Sequence, residues 1–223
     1  MGSEAFDPVS FSGIVPVFPL PNWVLFPGMF LPLHIFEPRY RAMTAAALEG
    51  EKLIAMALLK PGWQKDYEGS PPIHEVLGVG KIVEDAKLDD GRYNLVLLGL
   101  SRVRIVHEVG AGPYRQARVR ILEEKTQDDA KSERQRRTLL ALYAEIMKSV
   151  NQGAVPVPPD DVPLGMLVDL VASFLVLVPP LKQELLEELD PSARCDRLLR
   201  MLEGPGAPPP PRPRSWPRGP SLN

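Results

Sequence analysis

Phe18–Tyr40 reads FPLPNWVLFPGMFLPLHIFEPRY and carries the clearest indications of the fold. It includes the end of one short apolar run, Gly13–Phe18, and the whole of a second, Phe30–Phe36. The length and composition of both runs are typical of β-strands. Pro38 comes directly after the second run, and proline fits the first turn of a helix because its missing N–H has no partner to lose there. A helix is therefore predicted over Arg39–Leu48, so the chain begins as a mixture of strands and helix.

Further strand-like segments follow the predicted helix. Asp89-Asp90-Gly91 separates two of them and is a good hairpin turn, because glycine accepts the positive φ that such turns require. Several short strands with turns between them indicate a barrel or a sandwich. These further strands are predicted over residues 52–59, 77–88, 92–98, 102–109 and 114–122.

The second half of the chain has helical periodicity. Ser132–Gln135 matches a capping box, and apolar residues then recur on one helical face. Two more helices are predicted over Pro163–Leu177 and Leu181–Leu189, and Asp190-Pro191 opens a fourth. The predicted fold class is α+β, with a β-rich subdomain at 11–122, a helical bundle at 123–203 and a disordered Pro/Arg-rich tail at 204–223.

The composition is that of an ordinary globular protein. The chain has 223 residues, 44% of them hydrophobic, and a formal net charge of −2, so no global positive field argues for a nucleic-acid partner. Its single cysteine, Cys195, excludes an internal disulfide and a zinc site built from several cysteines. The most apolar window, Val162–Leu181, contains Asp169 and is predicted to be a buried helix rather than a membrane span. The first residues lack the features of a secretory signal, so the expected location is the cytoplasm.

Motifs for catalysis are absent from the sequence. No GxxxxGK[ST] phosphate loop, GxSxG nucleophile elbow or HExxH zinc motif occurs, so we expect no enzymatic activity and no cofactor or metal. Cys195 lies on an apolar helix face and is predicted to be buried and unreactive. An unrecognised hydrolase stays open as a third hypothesis, and it would need His34, His74 or His107 within hydrogen-bond reach of a serine or an acid in a cleft.

Arginines alternate with apolar residues along two of the predicted strands. Arg102 and Arg104 share one face of their strand, and Arg118 and Arg120 share one face of theirs. If the strands are neighbours, these four and Arg115 form a positive stripe able to hold RNA phosphates. We favour the alternative, a solvated outer face balanced by nearby carboxylates, because no aromatic residue interleaves with the arginines for base stacking.

Apolar side chains in two loops are the candidates for binding a peptide. Trp23, Met29 and Phe30 lie in or beside a proline-bounded loop, and Trp63 and Tyr67 lie in a polar loop that contains glycine and proline. Methionine and aromatic side chains suit adaptable contacts with varied partners when they project into solvent. The sequence alone leaves open which of them project and which fill the core.

The opening stretch resembles the LON substrate-binding domain family, which forms the N-terminal domain of the ATP-dependent Lon protease. The resemblance covers about Ile14–Leu202, and its specific part is the first stretch. Weaker matches follow at Gly78-Val79-Gly80, Gly99–Arg102 and Lys182–Glu187. The residues that match the family motif are Phe26, Pro27, Gly28, Phe36, Glu37, Pro38, Arg39, Tyr40 and Arg102.

The resemblance implies a PUA-like β-barrel followed by a helical bundle, acting as a non-catalytic module that recognises exposed apolar segments of proteins. The ATPase and protease domains of Lon are not expected in this chain, so unfolding and proteolysis are not carried over. The implied partners are unfolded or flexible protein segments, with a protease or a chaperone as a further candidate in protein quality control. RNA binding by the PUA-like barrel is the alternative, and no membrane partner is expected.

The motif itself has a structural explanation that needs no ligand. Phe26 and Phe36 are predicted to lie in the core. Glu37 comes just before the helix start, where a carboxylate favours the helix dipole, and it is expected to pair with Arg39 or Arg102. We therefore expect the motif residues to be mainly structural and the binding residues to lie elsewhere.

Overall fold

The secondary structure is given by a computed structural model, which describes residues 11–66, 69–110, 112–125, 130–150, 158 and 161–203. The predicted tail at 204–223 lies outside the described residues. The strands are β1 (Ile14–Leu20), β2 (Phe30–Ile35), β3 (Leu53–Leu58), β4 (Val76–Lys87), β5 (Tyr93–Val109) and β6 (Arg115–Leu122). The helices are α1 (Pro38–Glu49), α2 (Ala130–Val150), α3 (Leu164–Phe174), α4 (Pro179–Glu187) and α5 (Pro191–Glu203), with a short 3-10 helix at Trp63–Asp66.

The strands form one mixed sheet in the order β2-β5-β4-β3-β1-β6, with an additional pairing between β5 and β6. β1 runs parallel to β3, and the other pairs are antiparallel. The pairing from β5 through β4, β3, β1 and β6 therefore returns to β5. β2 pairs with β5 and, among the described strands, with no other, so it lies at an edge.

The hairpin between β4 and β5 forms where the sequence predicts it. Gly91 has a φ of +81°, and the Leu88 N–H donates to the Arg92 carbonyl at 2.8 Å to close the turn. The Asp90 carboxylate also accepts the Arg92 backbone N–H at 3.0 Å. Local turn chemistry is thus enough to place this hairpin.

β5 is one continuous strand of 17 residues, so the prediction of two strands at 92–98 and 102–109 is wrong. The two predicted strands leave out residues 99–101, which begin with Gly99. In the structure, Gly99 marks instead a place where another part of the backbone comes close, as described below.

Helix α1 begins at Pro38, as predicted, and packs one face into the core. Tyr40, Met43 and Ala47 are buried and recur at helical spacing. They join an apolar cluster with residues of β2, β3 and β5 that includes Ile35. This packing holds the end of β2 and the start of α1 in a defined position.

The contacts divide the chain into two compact units. The first, the sheet unit, comprises the described residues up to Lys125 together with Val178–Leu189, and the second comprises those of 126–177 and 190–203. The predicted helical subdomain at 123–203 differs from this division, because α4 belongs to the sheet unit. The Gln183 side chain donates to the Val76 carbonyl at 2.9 Å, and this bond attaches α4 to β4.

The helical unit contains α2, α3 and α5. Asp190 caps α5, because its carboxylate accepts the backbone N–H groups of Ser192 and Ala193 at 3.0 and 3.1 Å. This confirms the predicted start of the last helix. Ser132, predicted as a cap, is instead buried within the first turn of α2, which begins at Ala130. The helix predicted over 163–177 is α3, which ends at Phe174.

Candidate functional site

The chain between β1 and β2, residues 21–29, lies directly on three glycines of the sheet; we call it the β1–β2 segment. A Cβ atom added at Gly78 would collide with the Leu25 carbonyl oxygen, and one at Gly99 would collide with the Phe26 carbonyl oxygen. A Cβ at Gly80 would lie 2.8 Å from Leu25 Cδ2. Only glycine leaves room for such a close backbone approach at Gly78 and Gly99, and Gly80 makes room for the Leu25 side chain. The β1–β2 segment therefore packs directly against these three glycines.

Hydrogen bonds hold the end of the segment on β5. The Gly28 N–H donates to the Gly99 carbonyl at 2.8 Å, and the Gly99 N–H donates to the Met29 carbonyl at 2.8 Å. Leu25 and Phe26 are 2% and 1% exposed, so Phe26 is a core residue as predicted. The segment therefore delivers the chain into β2 from a fixed starting point.

Strand β2 alternates between the core and solvent. Leu31 and Ile35 are buried, whereas Phe30, Pro32 and His34 are exposed. Phe30 is 60% exposed, which is a large fraction for an aromatic side chain on a regular strand.

The exposed side of β2 continues onto its neighbour. Phe30 pairs with Leu98 and Pro32 pairs with Val96, and these two β5 residues are only partly buried. Directly paired residues project from the same side of a sheet. Phe30, Pro32, His34, Val96 and Leu98 thus form one continuous, largely apolar surface, which we call the β2 face.

The outer edge of β2 also has free hydrogen-bonding capacity. Because the Met29 carbonyl accepts from β5, the alternation of antiparallel pairing directs the backbone groups of Phe30, Pro32 and His34 away from β5. Proline at this position fits, because an N–H that would point outward is dispensable to the sheet. No other described strand pairs along this edge.

The predicted peptide-binding residues fall into two groups. Phe30 and Trp23 are 60% and 39% exposed, and Met29, next to Phe30, is half-buried. Trp63 is half-buried and packs against the apolar cluster of β1, β3 and β4. Tyr67 lies outside the described residues. The structure thus brings Met29 and Phe30 to one place and positions Trp63 at another.

Phe36 is not a core residue, so that prediction is wrong. It is 60% exposed, and its ring lies 6.3 Å from the His34 ring in a stacked arrangement. Phe36 continues the outward alternation of Phe30, Pro32 and His34 past the end of β2, which explains its exposure. Sequence reasoning missed this residue, although the period-2 pattern could have identified it.

Other motif residues shape the junction between β2 and α1. The Arg39 Nε donates to Glu37 Oε2 at 3.1 Å, so the predicted Glu37–Arg39 pair is present. The Arg39 guanidinium also lies 4.7 Å from the centre of the Tyr40 ring, and that ring packs 4.5 Å from Phe18. Pro38 occupies the first helical position. These contacts join motif residues to one another and to Phe18 of the sheet unit, so they stabilise the junction between β2 and α1.

Arg102 is a buried structural residue, so its prediction as an RNA contact is wrong. It is 2% exposed, and its Nε donates to the Leu186 carbonyl of α4 at 3.0 Å. Its Nη1 pairs with Glu124 Oε1 at 2.7 Å. Arg102 therefore ties β5 to α4 and to the chain just after β6.

Sequence comparison decides the family. The family model of the ATP-dependent protease La (LON) substrate-binding domain matches residues 14–204. The chain belongs to the LON substrate-binding domain family. Both the β1–β2 segment and the β2 face lie within the matched residues.

Curated relatives of this LON domain are much longer proteins. A Lon protease of Desulfosudis oleivorans is 30% identical over 193 residues, which are 84% of this chain and 23% of that protein. Lon protease 2 of Myxococcus xanthus is 28% identical over 193 residues, covering 85% of this chain and 23% of that protein. The chain thus spans about a quarter of the length of the relatives it matches.

Solved structures share the fold of this LON domain. A Lon N-terminal domain protein from Xanthomonas campestris aligns with a TM-score of 0.64 at 21% identity, covering 84% of this chain and 97% of that one. The N-terminal domain of a Mycobacterium avium complex Lon protease aligns with a TM-score of 0.62 at 22% identity, covering 85% and 98%. The α+β fold with a mixed sheet is therefore that of a Lon N-terminal domain.

The remaining arginines of the predicted stripe are partly neutralised. Arg104 and Arg120 face each other across β5 and β6, but Arg104 Nη1 lies 3.8 Å from Glu75 Oε2. Arg115 is largely buried. Its guanidinium donates to the Glu108 carboxylate at 2.9 Å and to the Pro71 carbonyl at 2.6 Å. Arg118 and Arg120 are exposed. The stripe is thus interrupted by carboxylates, in agreement with the solvated-face interpretation.

The histidines of this LON domain make separate contacts. His34 Nδ1 is 2.7 Å from Asn94 Oδ1, and His74 Nδ1 is 3.2 Å from Glu187 Oε1. Glu187 also accepts a bond from Gln183, so the His74 contact is part of the attachment of α4 to β4. Within the described residues, no group of three His, Cys, Asp or Glu side chains is arranged to hold a metal ion.

The apolar window predicted as a buried helix corresponds to α3 and its surroundings. Leu167, Val168 and Val171 of α3 are fully buried. None of the helices in the described part of the chain is both long and apolar enough to cross a membrane.

We expect the Cys195 thiol to be unreactive in the native protein. The side chain is fully buried, and burial raises its pKa to about 12, with the Asp196 carboxylate acting in the same direction. At pH 8, only about one thiol in ten thousand is then the reactive thiolate. A chromogenic disulfide reagent should label Cys195 slowly in buffer and at once in denaturant. Fast labelling of the native protein would contradict the prediction of an unreactive thiol.

The folded-state pKa of Cys195 lies above its unfolded value. The free energy of unfolding should therefore fall as the pH rises above about 9.

Proposed function

We propose that this LON domain captures unfolded or flexible segments of client proteins on the β2 face, with Trp23 and Met29 of the β1–β2 segment beside it. The observation that carries the proposal is the exposure of Phe30 on β2, which pairs with β5, and of Phe36 just past the end of that strand, each 60%. Contiguous apolar surface on a folded domain is typical of an interaction site. Trp63 and Tyr67 remain a second candidate contact.

Binding would combine apolar burial with backbone pairing. Burial contributes about 25 cal/mol per Å² of apolar surface, independently of the client's exact sequence. The outward N–H groups of Phe30 and His34 can donate hydrogen bonds to an extended chain along the edge of β2, and the carbonyls of Phe30, Pro32 and His34 can accept hydrogen bonds from it. This combination favours extended apolar segments, which unfolded proteins expose and folded ones do not.

The proposed role is that of a non-catalytic adaptor in protein quality control that presents clients to a protease or a chaperone. Its support is the likeness to proteins named as Lon proteases, of which this chain matches about a quarter. We include in the proposal a cytoplasmic location, which the single cysteine suits. The closed circuit of strand pairings supports a PUA-like barrel as the architecture.

Replacing Phe30 and Phe36 with serine should weaken capture of an unfolded polypeptide at least tenfold, because each buried phenylalanine is worth about 1.5–3 kcal/mol. The measurement is fluorescence anisotropy of a labelled, permanently unfolded protein titrated with the LON domain at low and high salt. The apolar part of wild-type binding should change little with salt, since apolar burial is not screened.

A matched control is Val106→Ser, which removes an apolar side chain that is 56% exposed near the far end of β5. It should leave capture unchanged. Equal affinities of the Phe30→Ser/Phe36→Ser and Val106→Ser variants would contradict the proposed surface. Salt-sensitive binding of single-stranded RNA that depends on Arg118 and Arg120, without polypeptide capture, would instead favour the RNA alternative.

A further inference from the structure

A small cleft lies where the first turns of α1 meet the hairpin between β4 and β5, within the sheet unit. Its volume is about 330 Å³, at the lower end of the range for ligand pockets. Pro38, which is part of its lining, is two residues along the chain from the exposed Phe36. The lining residues are Pro38, Arg41, Ala42, Lys87, Gly91 and Tyr93.

The two charged residues that line this cleft are both cations. A Cβ atom at Gly91 would collide with the Arg41 guanidinium, so the glycine of the hairpin turn lets that group lie against the turn. Lys87 Nζ lies 5.8 Å from the centre of the Tyr93 ring, a cation–π distance. Tyr93 is buried in the core, so the ring beside Lys87 is fixed in position, and both cations border the same concave space.

The carboxylates of the hairpin do not fill this space. The Asp90 carboxylate is bound by its neighbour Arg92, with Arg92 Nε donating at 2.6 Å and the Arg92 backbone N–H donating at 3.0 Å. These bonds hold the pKa of Asp90 at about 2, and the Arg41 charge contributes in the same direction. Asp89 is exposed on the turn and does not line the cleft. Asp90 therefore stays ionised and engaged with Arg92 at neutral pH.

We infer that this cleft binds a carboxylate group of the client polypeptide, beside the apolar segment that the β2 face holds. A guanidinium fork and an ammonium group that line one cleft suit a planar, singly charged group, and the space accepts one short side chain or a chain end. Asp and Glu side chains and a C-terminal carboxylate share this chemistry. The inference rests on the proposed client binding and gives it a charge preference.

A nucleic-acid backbone fits the cleft less well than a carboxylate does. It carries a phosphate at every nucleotide, so a strand entering here would also pass the Asp89 and Asp90 carboxylates. A single carboxylate with apolar neighbours avoids that repulsion. The preferred client segment is therefore apolar and extended, with one acidic group at its end.

The test uses four labelled synthetic peptides that share an extended apolar sequence. They carry either Glu or Gln next to that sequence, and each ends in either a free carboxylate or an amide. The proteins are the wild type, Arg41→Gln, Lys87→Gln and, as a matched control, Arg120→Gln, which removes an exposed cation on β6. The measurement is the dissociation constant of each peptide at moderate salt.

We expect wild-type protein to bind a peptide whose carboxylate enters the cleft about tenfold more tightly than the matching neutral peptide, with Gln in place of Glu or an amide in place of the free C-terminus. This difference is the scale of one charge-assisted hydrogen bond. Arg41→Gln and Lys87→Gln should each remove most of this preference and leave the neutral peptide's affinity unchanged, and Arg120→Gln should change neither. The Glu/Gln and acid/amide pairs show which source of carboxylate is bound.

Equal binding of all four peptides by the wild type would overturn the carboxylate site and leave client capture standing. Failure to bind any peptide would overturn both. RNA binding that is lost in Arg41→Gln would also overturn the carboxylate assignment.

Discussion

Replacing Gly99 with alanine should lower the free energy of unfolding by about 3 kcal/mol, the upper part of the range for overpacked interiors. The new methyl group would meet the Phe26 carbonyl oxygen, which belongs to backbone and cannot rotate away as a side chain can. The β1–β2 segment would have to lift from the sheet. Phe26 and Leu25, now 1% and 2% exposed, would lose packing as it lifts.

The same reasoning applies to Gly78, where a methyl group would meet the Leu25 carbonyl oxygen. Gly112→Ala is the matched control, because among the described residues a Cβ there has only the Tyr114 carbonyl oxygen within 4 Å, at 3.7 Å. Urea denaturation followed by circular dichroism measures the three variants against the wild type. A loss of stability for Gly99→Ala no larger than that for Gly112→Ala would show that the segment does not sit on these glycines.

The glycines also show where sequence reasoning succeeded and where it failed. The sequence shows Gly78-Val79-Gly80 and Gly99, yet the predicted strands 92–98 and 102–109 leave Gly99 between them. A glycine that makes room for another stretch of backbone and a glycine in a turn look alike in one sequence. The difference lies in a contact between residues about seventy positions apart, Phe26 and Gly99, which local propensity does not record.

Local signals placed the elements well. Pro38 predicted the start of α1, Asp190 the cap of α5, and the turn at Gly91 the β4–β5 hairpin, because each acts on its own neighbours. The alternation in β2 was equally local, and it puts Phe30 on the exposed side. Phe36 was assigned to the core from its motif, although the same alternation, extended by one step, points it into solvent.

Sites built from distant parts of the chain were not predictable in this way. Arg41 and Lys87 line the same cleft only because a helix packs beside a hairpin, and no spacing in the sequence indicates that they do. Arg102 and Arg104 are a sharper case, since period 2 correctly puts them on one face of β5. Whether that face is exposed depends on which element covers it. Arg102 lies beneath α4, whereas Arg104 is partly exposed.

Arg102 supplies the second large expected effect, because its guanidinium holds α4 to the sheet. Replacing it with alanine should lower the free energy of unfolding by about 3 kcal/mol, the lower end of the range for breaking a buried ion pair. The lower end applies because Glu124, 33% exposed, can regain water when its partner is removed. The Leu186 carbonyl loses the bond from Arg102 Nε and stays in the interior, since Leu186 is 1% exposed.

Two variants separate this role from a general charge effect. Arg120→Ala removes an exposed cation from the neighbouring strand and should change stability by less than about 0.5 kcal/mol. Arg102→Lys keeps the charge but loses the forked donors, so it should fall between alanine and wild type. Hydrogen exchange supplies the local readout, because the amides of α4 should lose protection in Arg102→Ala before those of β3 do. If α4 stays as protected as in the wild type, Arg102 is not what holds this helix, and its other contacts, such as the bond from Gln183 to the Val76 carbonyl, are sufficient.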